Sequence, residues 1–366
     1  MKVPFIDLAR QHRPIKDELF QAFERVFESN QFILSEEVKR FEEEVASYVG
    51  TKYAIGVSNC TNALLLSFKA LDIKPGDEII TTPFTFVATA EIIALLGAKP
   101  VFCDIDPRNY NIAPDKIEGA ITKKTKALLP VHLYGQAADM DRIMSIAHQH
   151  NLRVVEDMAQ AVGAKYKGKR VGIFGDTACI SFFPTKNLSA LGDAGMILTN
   201  DDRLNERLRA FRVHGASQKY HHEFLGYNDR LDAIQAAFLR IKLQYLDSWN
   251  EKRRQIANKY DNALKDVVDI PFIHPENETI YHQYTIRTPQ RDELQQYLTD
   301  KGIGSAIHYP IPLHLQPAFR YLSYKEGDFP EAERAAKEVV SLPIHHTLTD
   351  EEVDYIISAI KEYFGK

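Results

Sequence analysis

The segment SFFPTKNLSALGDAGMILTN, from Ser181 to Asn200, sets one lysine, Lys186, in a loop of small and turn-forming residues between two short apolar runs. A loop of this kind can lie over a pocket at the edge of a sheet. A lysine there becomes a Schiff-base nucleophile if its pKa falls. Taken alone, a lysine in a turn is far more often a solvated surface residue. In VVEDMAQAVGA, Val154–Ala164, an apolar run ends in the acids Glu156 and Asp157. Ligands of open α/β sheets bind beyond the carboxyl ends of the strands. An acid at that place can pair with a cationic ring nitrogen and keep the ring electron-accepting, as pyridoxal chemistry requires. It can equally cap the next helix. In VSNCTNALLL, Val57–Leu66, a turn of small residues leads into a helical stretch whose first N–H groups could hold a phosphate. Ser, Asn and Thr also cap helices where no ligand binds.

The elements around these residues follow from hydrophobic periodicity. Leu19, Phe20, Phe23, Val26 and Phe27 recur at helical spacing after Pro14, and a second helix is expected over Glu36–Tyr48 with Ser35 as cap. From Tyr53 short apolar runs (YAIGV, EIITTP, KPVFCDI, KALLPVH, NLRVVED) alternate with helical segments and turns, which predicts a mostly parallel sheet with crossover helices. ACISFF and GMILTN are two further strand candidates. Asp229 to about Lys265, charged and free of Gly and Pro, reads as a long helix leaving the sheet. Beyond Asn277 a smaller α+β unit is expected: strands at HQYTIRT and IGSAIHYP, a helix at DELQQYLTDKG and a capped helix at TDEEVDYIISAIKEYF. The expected division is a large unit over 1–240, and over 241–366 a connecting helix with the small unit.

Bulk composition sets outer bounds. The chain has 366 residues, of which 45% are hydrophobic and 26% charged, which suits a packed core. Its net charge of -5 disfavours general nucleic-acid binding. Three cysteines, Cys60, Cys103 and Cys179, form no CxxC pair, and no histidine set has metal spacing; neither a disulfide framework nor a metal site is expected. The stretch MKVPFIDLARQHRPIK meets Asp7 and Arg10 before any apolar run, unlike a secretory leader, and no uncharged run is long enough for a bilayer. The expected setting is the cytoplasm, away from membranes.

SFFPTKNLSALGDAG, VVEDMAQAVGA, PFTFVATAEII, VHLYGQAADMD, GYNDRLDAIQAA and HYPIPLHLQPAF, together spread over nearly the whole chain, resemble the sugar aminotransferase family often called DegT/DnrJ. The resemblance implies an aspartate-aminotransferase-like α/β fold of type I, pyridoxal 5'-phosphate as cofactor, and a homodimer with shared active sites. It implies that Lys186 holds the cofactor covalently and shuttles protons, and that Asp157 pairs with the pyridine nitrogen. Gln160 would lie beside the cofactor hydroxyl and Phe86 would stack on the ring. Cys60, Thr61 and Ser181 would hold the phosphate, with Asn228 reaching it from the neighbouring subunit. Two departures stand out: the turn reads NCT where relatives often have SGT, and the stacker is Phe86 where some have Trp or Tyr.

The same resemblance carries a substrate expectation. GDAG at 192–195, with KNLSALG overlapping it, is similar to enzymes that place an amine on C-3 of a dTDP-3-keto-6-deoxyhexose, with glutamate as donor. Alternatives are a C-4 aminotransferase acting on a GDP- or UDP-sugar and, in another class, a non-catalytic cofactor- or sugar-binding regulatory protein. A dehydratase relative would replace Lys186 by His. For the sugar, His308 and Tyr309 in HYPIPLH are candidates, although a structural role in a Pro-rich turn explains them as well. Phe182 and Tyr220 complete the expected set. Tyr220 lies with Lys219, His221 and His222 in a polar loop that either closes over the nucleotide or is a solvated connection. His132, His214 and His314 are weaker candidates.

Overall fold

A two-residue period in the apolar runs turns alternate side chains to opposite faces of one sheet. In the computed structural model, which describes residues 1–366, its strands are β1 (Tyr53–Val57), β2 (Glu78–Thr81), β3 (Lys99–Phe102), β4 (Thr125–Leu128), β5 (Arg153–Asp157), β6 (Thr177–Ser181) and β7 (Gly195–Thr199). They lie in the order β1-β7-β6-β5-β4-β2-β3. All neighbours from β3 through β6 pair in parallel; β7 alone is reversed, antiparallel to both β6 and β1. This is the expected mostly parallel α/β sheet. The reversal matters for position. Gly195, the first residue of β7, pairs with both Val57 and Ser181, the last residues of β1 and β6. The loop carrying Lys186 therefore hangs at the edge where the parallel strands end.

Two cores cover the faces. Ala54, Ile80, Leu128, Val154, Ala178 and Met196 enter one. Their strand neighbours Ile55, Ile79, Ala127, Val155, Cys179 and Ile197 enter the other. A third core, in the C-terminal part, gathers Tyr284, Ile286, Leu294, Val340, Leu342 and Ile356 with Val3. The long helix, Ala233–Leu264, joins the first and third: Leu246 and Trp249 pack in one, Ile256 and Tyr260 in the other.

Other elements depart from the sequence reading. IGSAIHYP forms no strand. It makes only single bridges, Ile303 with Val3 and Ala306 with Ser341. The backbone of Gly304 lies against Phe5, too close for a side chain, and Pro310 lacks an amide to continue a ladder. The strand Tyr284–Arg287 pairs instead with Val339–Leu342. In the helix Lys16–Ser29, Leu19 and Val26 are buried while Phe20, Phe23 and Phe27 face outward. Ser35 precedes the helix Glu36–Val49, but its side chain caps nothing. No helix is long and apolar enough to cross a membrane.

Candidate active site

Adjacent acids at the end of β5 are separated by the strand period. Glu156 turns to one face, where it accepts from the amides of Gly172, Phe174 and Gly175 and meets His132 Nε2 at 3.0 Å. Burial alone would raise its carboxyl, but the His132 and amide hydrogen bonds bring it below the ordinary value. This is a structural acid, and His132 is its partner. Asp157 turns to the opposite face, 6% exposed. Its Oδ1 accepts from the Ala159 amide at 3.1 Å and its Oδ2 from the Thr89 hydroxyl at 3.0 Å. Burial raises this carboxyl, and no cation is hydrogen-bonded to it.

Lys186 sits in a tight turn, its amide donating to the Phe183 carbonyl at 2.8 Å. Its amine has no hydrogen-bond or ion-pair partner; loss of solvation lowers its pKa, against the opposing pull of Cys60 and Asp157. An amine so placed is more readily deprotonated and free to react. The loop is gripped from beneath by one side of the long helix. Asn250 Oδ1 accepts from Asn187 Nδ2 at 2.7 Å, Lys242 Nζ donates to the Ser189 carbonyl at 2.7 Å, and Gln235 Oε1 accepts from the Leu191 amide at 2.8 Å. His282 Nδ1 lies 3.0 Å from Asn187 Oδ1.

The turn after β1 ends with Asn59 capping the helix Cys60–Ala70, its side chain accepting from the Asn62 amide. The amides of Cys60 and Thr61 have no acceptor in the chain. A Cβ on Gly195 would come within 2.3 Å of the Asn59 carbonyl carbon and 2.7 Å of the Cys60 nitrogen. Only glycine lets β7 approach this turn. Asp229 fastens the same turn, accepting from the Ser58 amide at 2.9 Å, from the Ser58 hydroxyl, and from Asn62 Nδ2 at 3.2 Å. Ser181, buried at the end of β6, completes this corner.

Gln160 is held at both ends, with one Nε2 hydrogen left over: Oε1 accepts from the Tyr134 amide at 2.7 Å and Nε2 donates to Tyr309 Oη at 3.0 Å. The Phe86 ring, 56% exposed, lies 6.3 Å from the Tyr309 ring. His308 Nδ1 lies 3.2 Å from Ser341 Oγ; burial, and then the Lys186 charge, push its pKa down to about 4.

The structure thus brings together Lys186, Asp157, Cys60, Thr61, Gln160, Ser181, Phe86, His308 and Tyr309. It overturns Phe182 as a sugar contact. That ring has no exposed surface and packs 5.3 Å from Phe41 in the first core, because the residue after Ser181 must face the other way. Tyr220 also lies outside this chain's cleft, 85% exposed beside the Lys219 ammonium on the hairpin of Ala216–Gln218 and His221–His222. Asn228 is exposed and makes no side-chain hydrogen bond within the chain. His314 is buried against Glu333, away from these residues. Thr89, Asn187 and His282 were missed, although each stands within or beside a segment singled out in the sequence.

These residues fit pyridoxal phosphate: an unpartnered amine, a buried carboxylate without a cation, and two free amides at a helix start. Comparison with known proteins agrees. A relative from Geobacillus stearothermophilus named "Pleiotropic regulatory protein" is 50% identical, over 100% of this chain and 99% of its own. A dTDP-3-amino-3,6-dideoxy-alpha-D-galactopyranose transaminase from Aneurinibacillus thermoaerophilus is 46% identical over 99% of each chain. A UDP-2-acetamido-2-deoxy-3-oxo-D-glucuronate aminotransferase from Pseudomonas aeruginosa is 45% identical over 98% of this chain and 99% of its own. The crystal structure of S. venezuelae DesV in complex with a ketimine intermediate superposes with a TM-score of 0.98 at 42% identity, covering 100% of this chain and 99% of that one. Residues 13–361 match the DegT/DnrJ/EryC1/StrS aminotransferase family, and the chain belongs to it.

Proposed function

We propose that the protein uses pyridoxal phosphate to move an amino group from glutamate to C-3 of a dTDP-3-keto-6-deoxyhexose, giving a dTDP-3-amino-3,6-dideoxyhexose. The observation that carries the amino-transfer reading is the buried Lys186 amine, without a hydrogen-bond partner and lowered in pKa by loss of solvation, near enough to the buried Asp157 carboxylate for the two charges to act on each other. The bound cofactor supplies an aldehyde that accepts the amino group and a protonated ring that draws electrons. Lys186 Nζ would hold the cofactor and, once displaced by the donor amine, would be the base placed to take the donor's α-proton and give it to the cofactor carbon that receives the nitrogen. Asp157 would keep the ring nitrogen protonated. Phe86 would cover the ring, Gln160 would stand beside its hydroxyl, and the amides of Cys60 and Thr61 with Ser181 would hold the phosphate. His308 stays neutral near pH 7 and can hydrogen-bond a sugar hydroxyl or diphosphate; Tyr309 joins it.

C-3 is favoured by GDAG at 192–195 and by the Aneurinibacillus and Pseudomonas relatives, whose names place an amine or an oxo group at position 3. The nucleotide rests on the first of these and on the motif. Homodimerisation is favoured by the exposed apolar residues Phe86, Phe183 and Leu191, and by Asn228, whose side chain has no hydrogen-bond partner within its own chain. The name of the Geobacillus relative favours a second, regulatory reading, against which stand the intact Lys186 and Asp157.

Incubation with glutamate and either dTDP- or UDP-linked 3-keto sugars, followed by NMR of the product, tests the proposal. A new amine on C-3 of the dTDP sugar is expected; amination at C-4, or of the UDP sugar alone, overturns the substrate. A Lys186→Ala protein whose bound-cofactor spectrum is unchanged from the parent overturns the role of that lysine, and a parent inactive on every keto sugar offered favours the regulatory reading.

A further inference from the structure

We infer that Thr89 is the positioning residue of Asp157, fixing that carboxylate toward the cleft through a directed pair of hydroxyls that runs from Thr85 to Thr89 to Asp157. The inference rests on the reading of Asp157 above as the partner of a cationic ring nitrogen. Thr89 Oγ1 lies 3.0 Å from Asp157 Oδ2 and 3.2 Å from Thr85 Oγ1. Thr85 and Thr89 are 3% and 1% exposed, so neither hydroxyl can turn to solvent instead.

Proton counting sets the direction. An ionised carboxylate only accepts, so Thr89 gives its single hydroxyl proton to Asp157. The Thr89 oxygen can then only accept from Thr85, which must donate. With Oδ1 taken by the Ala159 amide, both carboxylate oxygens are held and the plane of the group cannot rotate. Every one of these donors is neutral. A lysine or arginine in the place of Thr89 would hold the group as firmly but cancel its charge, and a buried carboxylate left without donors would take up a proton. Two hydroxyls give orientation and ionisation while the full negative charge stays available to a ligand. The Ala159 amide and the Thr89 hydroxyl both oppose the upward push that burial exerts on this carboxyl. The bend leading into the helix Ala88–Leu95 brings the Thr85 hydroxyl back to that of Thr89 in the first helical turn, while Phe86, between them, is exposed. A threonine at a helix start commonly bonds its own preceding turn; this one bonds a strand 68 residues away in sequence.

The test compares the parent holoenzyme with Thr89→Val, which keeps the shape and removes the proton, and Thr89→Ser, which restores it. The pH dependence of the bound cofactor's visible absorption and of kcat and KM is followed from acid to alkaline pH. In Thr89→Val the acid limb of kcat/KM and the spectral transition should move upward together by about one pH unit. Activity should then fall about tenfold at the acid end through kcat rather than KM. Thr89→Ser should return both to within about twofold of the parent. Thr85→Val, acting through Thr89, should shift them in the same direction by less, and serves if Thr89→Val does not fold. Superimposable pH profiles in the parent and either valine variant, or no rescue by serine, would overturn the inference. If that happens while absorption still depends on Lys186, the Thr89 role falls alone. If the bound-cofactor spectrum is unchanged by Lys186→Ala, it is the reading of the site that falls.

Discussion

The ammonium of Lys242 has no exposed surface, donates to the Ser189 carbonyl at 2.7 Å, and lies 2.9 Å from Nε2 of His12. A cation is thus buried beneath the loop that carries Lys186, facing a neutral imidazole whose pKa burial, and then Lys242 itself, bring down to about 4. Burial also lowers Lys242, to about 8. The folded protein holds this proton less tightly than the unfolded chain. The folded state is therefore penalised below pH 8, and the penalty fades as pH rises from 8 toward the unfolded value. A shift from 10.5 to about 8 corresponds to roughly 3 kcal/mol. Lys242→Met removes that dependence. Urea denaturation of parent and variant should find the parent gaining on Lys242→Met between pH 8 and 10; parallel stability curves would contradict the burial argument.

Glu156 should behave in the opposite sense. Its pKa is lowered in the folded state, so its contribution is present above the ordinary glutamate range and is lost as pH falls through the folded value. Glu156→Gln places an amide against donors and should cost about 3–5 kcal/mol at pH 7. Thermal melts at pH 7 and pH 4 check this: the difference between parent and variant should narrow at the lower pH.

Gly195→Ala should weaken cofactor retention at least tenfold, because its methyl group would press on the peptide between Asn59 and Cys60. The obstacle is backbone, which cannot swing aside. Equilibrium dialysis of the apoprotein against pyridoxal phosphate gives the measurement. Ala194→Gly, one residue away, should change retention little.

Mixing Asn228→Ala with Lys186→Ala, at a cofactor concentration too low to fill the Asn228→Ala sites, probes the sharing of sites. Asn228→Ala should hold the cofactor less tightly, and Lys186→Ala should be inactive. If Asn228 serves the neighbouring subunit, a mixed dimer contains one intact site, and an equal mixture should recover about a quarter of parent activity. No recovery after subunit exchange, shown by mass, would contradict the shared site.

Much of the scaffold was legible because alternation and helical spacing are local properties. Each of β1–β7 lies, to within a residue at its start, inside an apolar run of the sequence. IGSAIHYP looked equally strand-like, but which partner a run meets is not written in its own residues. Ser341 meets Ala306 at one bridge, while its strand aligns with Tyr284–Arg287. In the site, Lys186 and Asp157 could be read because each ends or interrupts a recognisable run. Thr89 could not: a hydroxyl at a helix start reads as a cap until the fold brings β5 beside it. For Phe182 the alternation of the strand is the better guide than the expected sugar-facing set: it places the ring opposite Ser181, in the first core.

Between Ala233 and Leu264 there is neither Gly nor Pro, and the helix is rooted in two cores. Its stretch Ala233–Trp249 packs in the first core, so Gln235, Lys242 and Asn250 hold Leu191, Ser189 and Asn187 to the sheet side. His308 rides on the C-terminal part through Ser341. The seat of the reactive amine and the sugar-side wall are thus anchored in different cores, joined by one unbroken helix.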